Sequence, residues 1–183
     1  MESRIYLRAL EPDDYKTSVK WRNDPEIQEM VAGHKYFVSS ETEKAWVQNS
    51  ISAKDRIVLA ICLKENDKYI GNVMLQEIDW INRVGRVPIM IGDKTEWHKG
   101  YATEARMMMI KFAFEERGLN RIWAKILEEN KSSIRLHEKC GFKKEGLMRK
   151  SIYKDGRYQN QVVMGLLKED FEEAYDKYMN GHH

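Results

Sequence analysis

The chain has 183 residues, with 31 Lys plus Arg against 29 Asp plus Glu for a formal net charge of +2, and 42% apolar against 33% charged residues. A charge this close to neutral argues against the concentrated basic face used to hold nucleic acid. The length suits one domain over residues 1–183 with a sizeable core.

No apolar run reaches membrane-spanning length and no signal-like apolar segment opens the chain, so the expectation is a cytoplasmic protein without a membrane partner. Cys62 and Cys140 have neither metal nor redox spacing and are expected as reduced thiols, with no metal bound. Residues 4–9 alternate polar and apolar side chains, the period of a strand with one wet face. Proline and acids at Leu10-Glu11-Pro12-Asp13-Asp14 mark a helix start, expected to run to Trp21-Arg22-Asn23, where Asp24-Pro25 interrupts it. Residues 31–39, with Gly33, read as a loop. Ser39 or Ser40 followed by Glu43 resembles a capping box opening a helix through Trp46, Val47 and Ile51. Residues 56–63 and 69–78 are Ile-, Val- and Leu-rich strands joined by a short polar turn, hence an antiparallel hairpin. Residues 84–91 carry the chain as a strand to Gly92.

Beyond Trp97, the residues Ala102, Ala105, Met109, Phe112 and Ala113 recur at helical spacing. Residues 121–127 follow as a strand, and a strand, a long helix and a second strand suit a parallel crossover. Residues 132–139 read as a helix stopped by Gly141. Residues 142–153 and 158–167 pair across Lys154-Asp155-Gly156, where Asp-Gly is a strong hairpin signal. A last helix covers residues 169–179, and residues 181–183 read as a tail or purification-tag remnant. Hairpins plus one crossover give an α+β fold, a three-layer arrangement whose mixed, mostly antiparallel sheet of six or seven strands carries helices on both faces.

The stretch that carries chemistry is the glycine-containing loop before the long helix. Small residues at Gly100 and Ala102 let a ligand approach the backbone. The first helical N–H groups have no internal partner and sit at the positive end of the helix dipole, a phosphate site to which Lys99 adds charge. Neither G-x-x-x-x-G-K-[ST] nor G-x-G-x-x-G is present. Trp97-x-x-Gly100-x-Ala102 instead resembles the acetyl-CoA pyrophosphate loop of the GNAT superfamily of N-acetyltransferases, usually Gln/Arg-x-x-Gly-x-Gly/Ala. Tryptophan followed by Gly-Tyr-Ala-Thr-Glu-Ala is similar to the branch of ribosomal-protein N-terminal and spermidine acetyltransferases, which often has glycine where this chain has His98. Downstream, Glu129-Asn130-Lys131-Ser132-Ser133-Ile134-Arg135-Leu136-His137-Glu138-Lys139-Cys140-Gly141-Phe142 resembles the superfamily motif E-N-x-x-[AS]-I-x-L-Y-E-K-x-G-F.

This resemblance implies a splayed pair of parallel strands, residues 87–92 and 121–127, with the pantetheine arm of acetyl-CoA in the gap. It places Met90, Ile91 and Gly92 at the acetyl end, one N–H among them facing the carbonyl oxygen that gains charge in the tetrahedral stage. It places Trp97, His98, Lys99, Gly100, Tyr101, Ala102 and Thr103 on the pyrophosphate. Asn130 would bond the pantetheine arm, with Ser133 beside the adenosine-phosphate end; Ser132 and Ser133 equally suit helix capping. Lys131, Arg135 and Lys139 either meet the 3′-phosphate or form a wet face.

Acetyl transfer must also take a proton from an ammonium and release a thiolate. Many relatives carry a tyrosine as the acid where this chain has His137, which either serves as acid or base near neutrality or merely contacts the sulfur region. Many also place a glutamate on the strand before the loop, where Arg86 stands here and accepts no proton. Glu77 is the candidate base, with Asp79 beside it; a solvated strand-end acid and a water chain are the alternatives. The acceptor implied is a primary amine: a protein N-terminus, a polyamine or an amino sugar. Trp21-Arg22-Asn23-Asp24 and the loop over residues 32–37 would flank it, and Glu41, Glu77 and Asp79 would attract its charge. The last hairpin and helix offer a homodimer surface. The competing reading is a CoA-binding sensor of the same fold without turnover.

Overall fold

A computed structural model describes residues 2–30 and 37–181, so most of the expected loop over residues 31–39, including the part assigned to the acceptor, and the pair His182–His183 lie outside the described residues. Strand β1 (Ile5–Ala9) leads through a single 3-10 turn (Pro12–Asp14) into helices α1 (Tyr15–Arg22), α2 (Pro25–Met30) and α3 (Ser40–Ile51). Strands β2 (Ile57–Leu63), β3 (Tyr69–Asp79), β4 (Val84–Arg86) and β5 (Ile89–Ile91) follow, then α4 (Tyr101–Glu115), β6 (Arg121–Leu127) and α5 (Lys131–Lys139). The chain closes with the hairpin β7 (Lys143–Lys154) and β8 (Arg157–Leu167), and helix α6 (Lys168–Met179).

The eight strands form one mixed sheet in the order β1-β2-β3-β4-β6-β8-β7, with β5 also on β3. Among the described residues only β4 and β6 run parallel, through Val84↔Arg121 and Gly85↔Ile122. Eight strands rather than six or seven arise because residues 84–91 are not one strand. Val87-Pro88 divides them, proline bringing no N–H to a ladder. β4 then pairs with β6, whereas β5 turns back onto β3 through Gly71↔Ile91 and Val73↔Ile89. The hydrogen-bonded parallel strand is therefore residues 84–86, one step before the expected 87–92.

Two further local readings change. Asp24-Pro25 begins a helix instead of only ending one. The Asp24 carboxylate accepts from the N–H groups of Glu26 (2.9 Å) and Ile27 (3.3 Å), and Pro25 takes the first helical position. At α3, Ser39 is the cap and accepts from Thr42 N at 3.1 Å. Glu43 thus lies one residue past the capping-box position and turns inward, 2% exposed, to accept from Ser18 Oγ at 2.6 Å beside Arg22.

The core divides by sheet face. Ile61, Val73, Leu75 and Ile122 pack with Met109, Ile110 and Phe114 of α4, Cys140 at the end of α5 and Phe171 of α6. Val58, Ala60 and Cys62 pack with Leu10 and with Val47 of α3 on the other face. Helices thus cover both faces, and the Asp155-Gly156 turn adopts positive φ at both residues (53° and 76°), as the hairpin signal requires.

Candidate active site

Pro88 places an opening inside the sheet. β6 pairs with β8 along its whole length, but with β4 only at Arg121 and Ile122. Its other edge from Trp123 to Leu127 and the outer edge of β5 therefore face each other without a shared ladder. Gly92 N donates to Ile70 O at 2.8 Å, and Met74 N donates to Pro88 O at 2.9 Å. With Met90 opposite Asn72, the antiparallel alternation turns the N–H groups of Ile89 and Ile91 away from β3 and into the gap. Trp97 Nε1 donates to Ile91 O at 2.8 Å, tying the loop to the strand end. Of Met90 and Ile91, the second is the residue whose N–H points into the opening.

The loop then enters α4 through two left-handed residues, His98 at φ 62° and Gly100 at φ 89°. His98 stands in a conformation that glycine adopts freely and other residues at roughly 1–2 kcal/mol. Gly100 is the N-cap of α4 and has no side chain to cap the helix, so the N–H groups of Tyr101, Ala102 and Thr103 carry no cap bond. That is the orphan donor set an anion binds. Lys99 does not bring a free charge: its Nζ lies 2.8 Å from the buried Glu96, which raises the lysine pKa and lowers that of the acid.

A brace holds this entrance. Glu104, 4% exposed, accepts from Arg4 N (2.7 Å), Ser3 Oγ (2.8 Å) and Ile5 N (3.3 Å) and pairs with the Arg4 guanidinium. Arg4 in turn donates to Lys99 O at 3.0 Å and lies over the Tyr101 ring. A cleft of about 740 Å³ opens beside the same helix end, with Gly100, Thr103, Lys139 and Tyr178 among its lining.

At α5 the capping roles are the reverse of those expected. Asn130 is the N-cap, accepting from Ser133 N and Ser132 Oγ at 2.9 Å each, while its Nδ2 donates to Met30 O at 3.2 Å. Lys131, Arg135 and Lys139 all lie on the exposed side of the helix.

His137 is 5% exposed, its ring edge-on to Phe142. Nδ1 lies 2.7 Å from Ser133 O and donates to it, so Nε2 is the ring's free acceptor, while Arg106 Nη1 stands 2.9 Å from both ring nitrogens. Burial, then the adjacent Arg106 charge, pushes the imidazole pKa down to about 2. The ring is neutral at physiological pH with both nitrogens engaged. Arg106 is itself 3% exposed, its Nε has no partner, and among the described residues no carboxylate pairs with it.

Glu77 sits at a bulge where it and Ile78 oppose Gly85 alone, with φ 51°. Bulges of this kind re-aim side chains. Its carboxylate is half exposed and 2.5 Å from Arg86 Nη1, and Arg86 lies over Trp123 of β6, on the side of the gap. Asp79 instead holds its own turn, accepting from the Ile81 and Asn82 N–H groups, bonds that lower its pKa. Glu41 is exposed on α3. In the segment expected to flank the acceptor, the Trp21 ring packs so tightly on Gly92 that an added Cβ would fall 1.9 Å from it. Asn23 exchanges hydrogen bonds with Val38 across the undescribed segment.

The structure thus joins the strand end, the loop and α4 through Trp97, and α4 to α5 through Arg106 and His137. Arg4, Glu96, Glu104 and Arg106 are the participants that sequence reasoning missed. Glu104 alone had a signal, standing inside Gly-Tyr-Ala-Thr-Glu-Ala. Among the described residues no group of three His, Cys, Asp or Glu side chains could hold a metal ion.

A family profile described as an acetyltransferase (GNAT) domain matches residues 4–143. An uncharacterized N-acetyltransferase, p20, from Bacillus licheniformis is 31% identical over 170 residues, 92% of this chain and 95% of that protein. The spermidine N(1)-acetyltransferase of Vibrio cholerae is 27% identical over 171 residues, 93% and 97% of the two chains. The crystal structure of spermidine N-acetyltransferase from Vibrio cholerae in complex with CoA and spermine superposes with a TM-score of 0.85 at 25% identity, over 93% of this chain and 99% of that one.

Proposed function

The chain belongs to the GNAT acetyltransferase family, and from that premise we propose that it acetylates the primary amine of a polyamine, with the reacting groups held where β5, the loop and α5 converge. It is an acetyl-CoA-dependent N-acetyltransferase; acetyl-CoA supplies a thioester carbonyl open to attack by an amine. The observation that carries the site assignment is the continuity of two unsatisfied backbone surfaces. The uncapped N–H groups at the start of α4 suit a pyrophosphate, and the facing edges of β5 and β6 suit an amide-bearing arm.

In this reading Gly100, Tyr101, Ala102 and Thr103 bind the pyrophosphate, while Trp97, His98 and Lys99 shape the loop around it. Met90 and Gly92 fix β5 on β3, and the Ile91 N–H polarises the acetyl carbonyl as charge develops on its oxygen. Asn130 and Ser133 hold the first turn of α5 at the mouth of the gap. Glu77 accepts the amine proton, its bulge turning the carboxylate out of the strand and Arg86 orienting it. His137, neutral and doubly bonded, positions its neighbours and exchanges no proton. Attack is direct: both cysteines are buried, and burial raises the Cys140 thiol to about 11, far from a nucleophile's range.

The polyamine is favoured over a protein N-terminus or amino sugar because the CoA- and spermine-bound relative aligns over nearly its whole length. Two reduced cysteines, an even charge and no helix among the described residues long and apolar enough to cross a membrane support a cytoplasmic enzyme without nucleic-acid partners. The β7–β8 hairpin and α6 supply its dimer surface.

Thiol release from acetyl-CoA across spermidine, amino sugars, aminoglycosides and peptides with free N-termini tests the assignment. The expected result is preferred turnover of the polyamine. Tight CoA binding with no turnover on any amine would replace the enzyme by the sensor reading, and preference for a peptide would move the acceptor.

A further inference from the structure

A guanidinium taken from water into a protein interior costs several kcal/mol unless an anion or a full set of acceptors compensates it. Arg106 has neither. It is 3% exposed on the second turn of α4, its Nε has no partner, and no carboxylate among the described residues pairs with it. Among the described residues its one hydrogen-bond partner is the His137 ring, with Nη1 2.9 Å from both ring nitrogens. Burial accordingly lowers the affinity of Arg106 for its proton, yet a guanidinium stays charged throughout the working pH range. A buried polar group left this way calls for a ligand or a function.

The location says which. Residue 137 is where the sequence resemblance places the acid that meets the departing sulfur, and here that residue is a neutral imidazole whose two nitrogens are both engaged. The pyrophosphate end is served by the exposed helix entrance at Gly100, with Arg106 enclosed behind it. We propose that Arg106 supplies the fixed positive charge that receives the thiolate of CoA, with His137 as the group that positions its guanidinium.

This deepens the acetyltransferase reading and rests on it. As the amine nitrogen bonds to the carbonyl carbon, the C–S bond breaks and its electron pair stays on sulfur. The thiolate leaves without a proton, stabilised by Arg106, and the amine proton passes to the base and on to water. Arg86 on β4 is a further charge near the ring and acts in the same direction, and the neutral thiol of Cys140, at the end of α5, is near Arg106.

The experiment titrates the thiol of CoA bound to the wild-type protein by its ultraviolet thiolate band, beside free CoA, and repeats it on Arg106→Met and Arg106→Lys. Melting curves and CoA affinity are measured on each. The expected result is a bound thiol at least about one pH unit more acidic than free CoA, a shift lost in Arg106→Met and largely kept in Arg106→Lys. Turnover in Arg106→Met should fall roughly 100-fold with CoA affinity nearly unchanged. An unshifted thiol in the wild type, or an equal shift in Arg106→Met, overturns the inference; the wild-type titration decides alone if the methionine variant does not fold. Failure of the wild type to bind CoA at all would overturn the acetyltransferase reading itself.

Discussion

Replacing Glu104 by alanine should damage both the fold and the cofactor entrance. The carboxylate receives two backbone donors from the start of β1, Arg4 N at 2.7 Å and Ile5 N at 3.3 Å, and Ile5 is fully buried. Alanine strands both. A buried donor left unpaired costs about 1–3 kcal/mol, so the pair should cost about 2–6 kcal/mol. The Arg4 side chain, 48% exposed, rehydrates and adds little. In a domain of this size a loss near 3 kcal/mol lowers the melting temperature by about 6–12 °C. Both backbone donors go to Oε1, so Glu104→Gln, with its amide oxygen in that place, should lose little beyond the Arg4 pairing through Oε2.

Because Glu104 also fixes the Arg4 guanidinium that holds Lys99 O, CoA affinity should fall in the same order, alanine before glutamine. Urea unfolding and calorimetric CoA titration of the three proteins measure both effects. An alanine variant within about 0.5 kcal/mol of wild type, the range of an ordinary surface change, would show that water satisfies the two donors and that the brace argument fails.

Gly100→Ala, at φ 89°, should lose about 1–2 kcal/mol and much of its CoA affinity. Gly118→Ala, at φ 65° with open space around it, should lose similar stability and no affinity; equal affinities in the two variants would remove Gly100 from the site. Glu77→Gln should reduce turnover about 100-fold or more with an unchanged urea midpoint, whereas unaltered turnover would assign the proton to a water path. His137 gives a pH signature. Its folded pKa lies below its ordinary value of 6.5, so the unfolded chain binds the extra proton and stability, complete above pH 6.5, is lost as pH falls below it. From pH 6.5 to 5.5 the wild type should lose up to about 1.4 kcal/mol more than His137→Phe in urea unfolding, and parallel curves for the two would contradict the buried neutral ring.

The parts of the fold legible in sequence are those in which local chemistry and tertiary context agree. Asp155-Gly156 suits only a tight hairpin turn, and Gly141, at φ 89°, ends α5 as expected. The glycine at the head of α4 was readable because φ 89° leaves few other choices. What escaped depends on partners far away in the chain. Pro88 looks tolerable in an apolar run until β3 is seen to take β5 from β6. Glu43 fits a capping box until Ser39 proves to be the cap, and then it is the buried partner of Ser18 and Arg22. Arg106 had no signal, since nothing in the sequence around it says that a guanidinium will be enclosed. His137 differs again: its position could be read, whereas its protonation depends on burial and on a residue 31 positions away.

Pro88 links fold to function most directly. Without it, β4 and β5 would form one strand and the parallel ladder with β6 would continue beyond Ile122. Instead the sheet leaves two backbone edges facing each other at its centre, where unpaired N–H and C=O groups are hardest to tolerate. They persist because every residue of β5 stays half-buried and open to water. On the proposed reading an arm carrying its own amides completes the ladder as an added strand, which would bring its thioester to the Ile91 N–H. The segment expected to flank the acceptor reaches the same point from the opposite direction, through Trp21 packed on Gly92 and Lys94 paired with Asp24 and Glu26. On the proposed reading both substrates would share the end of β5 as a common wall, so a change in the packing of Trp21 on Gly92 would reach the carbonyl that the amine attacks.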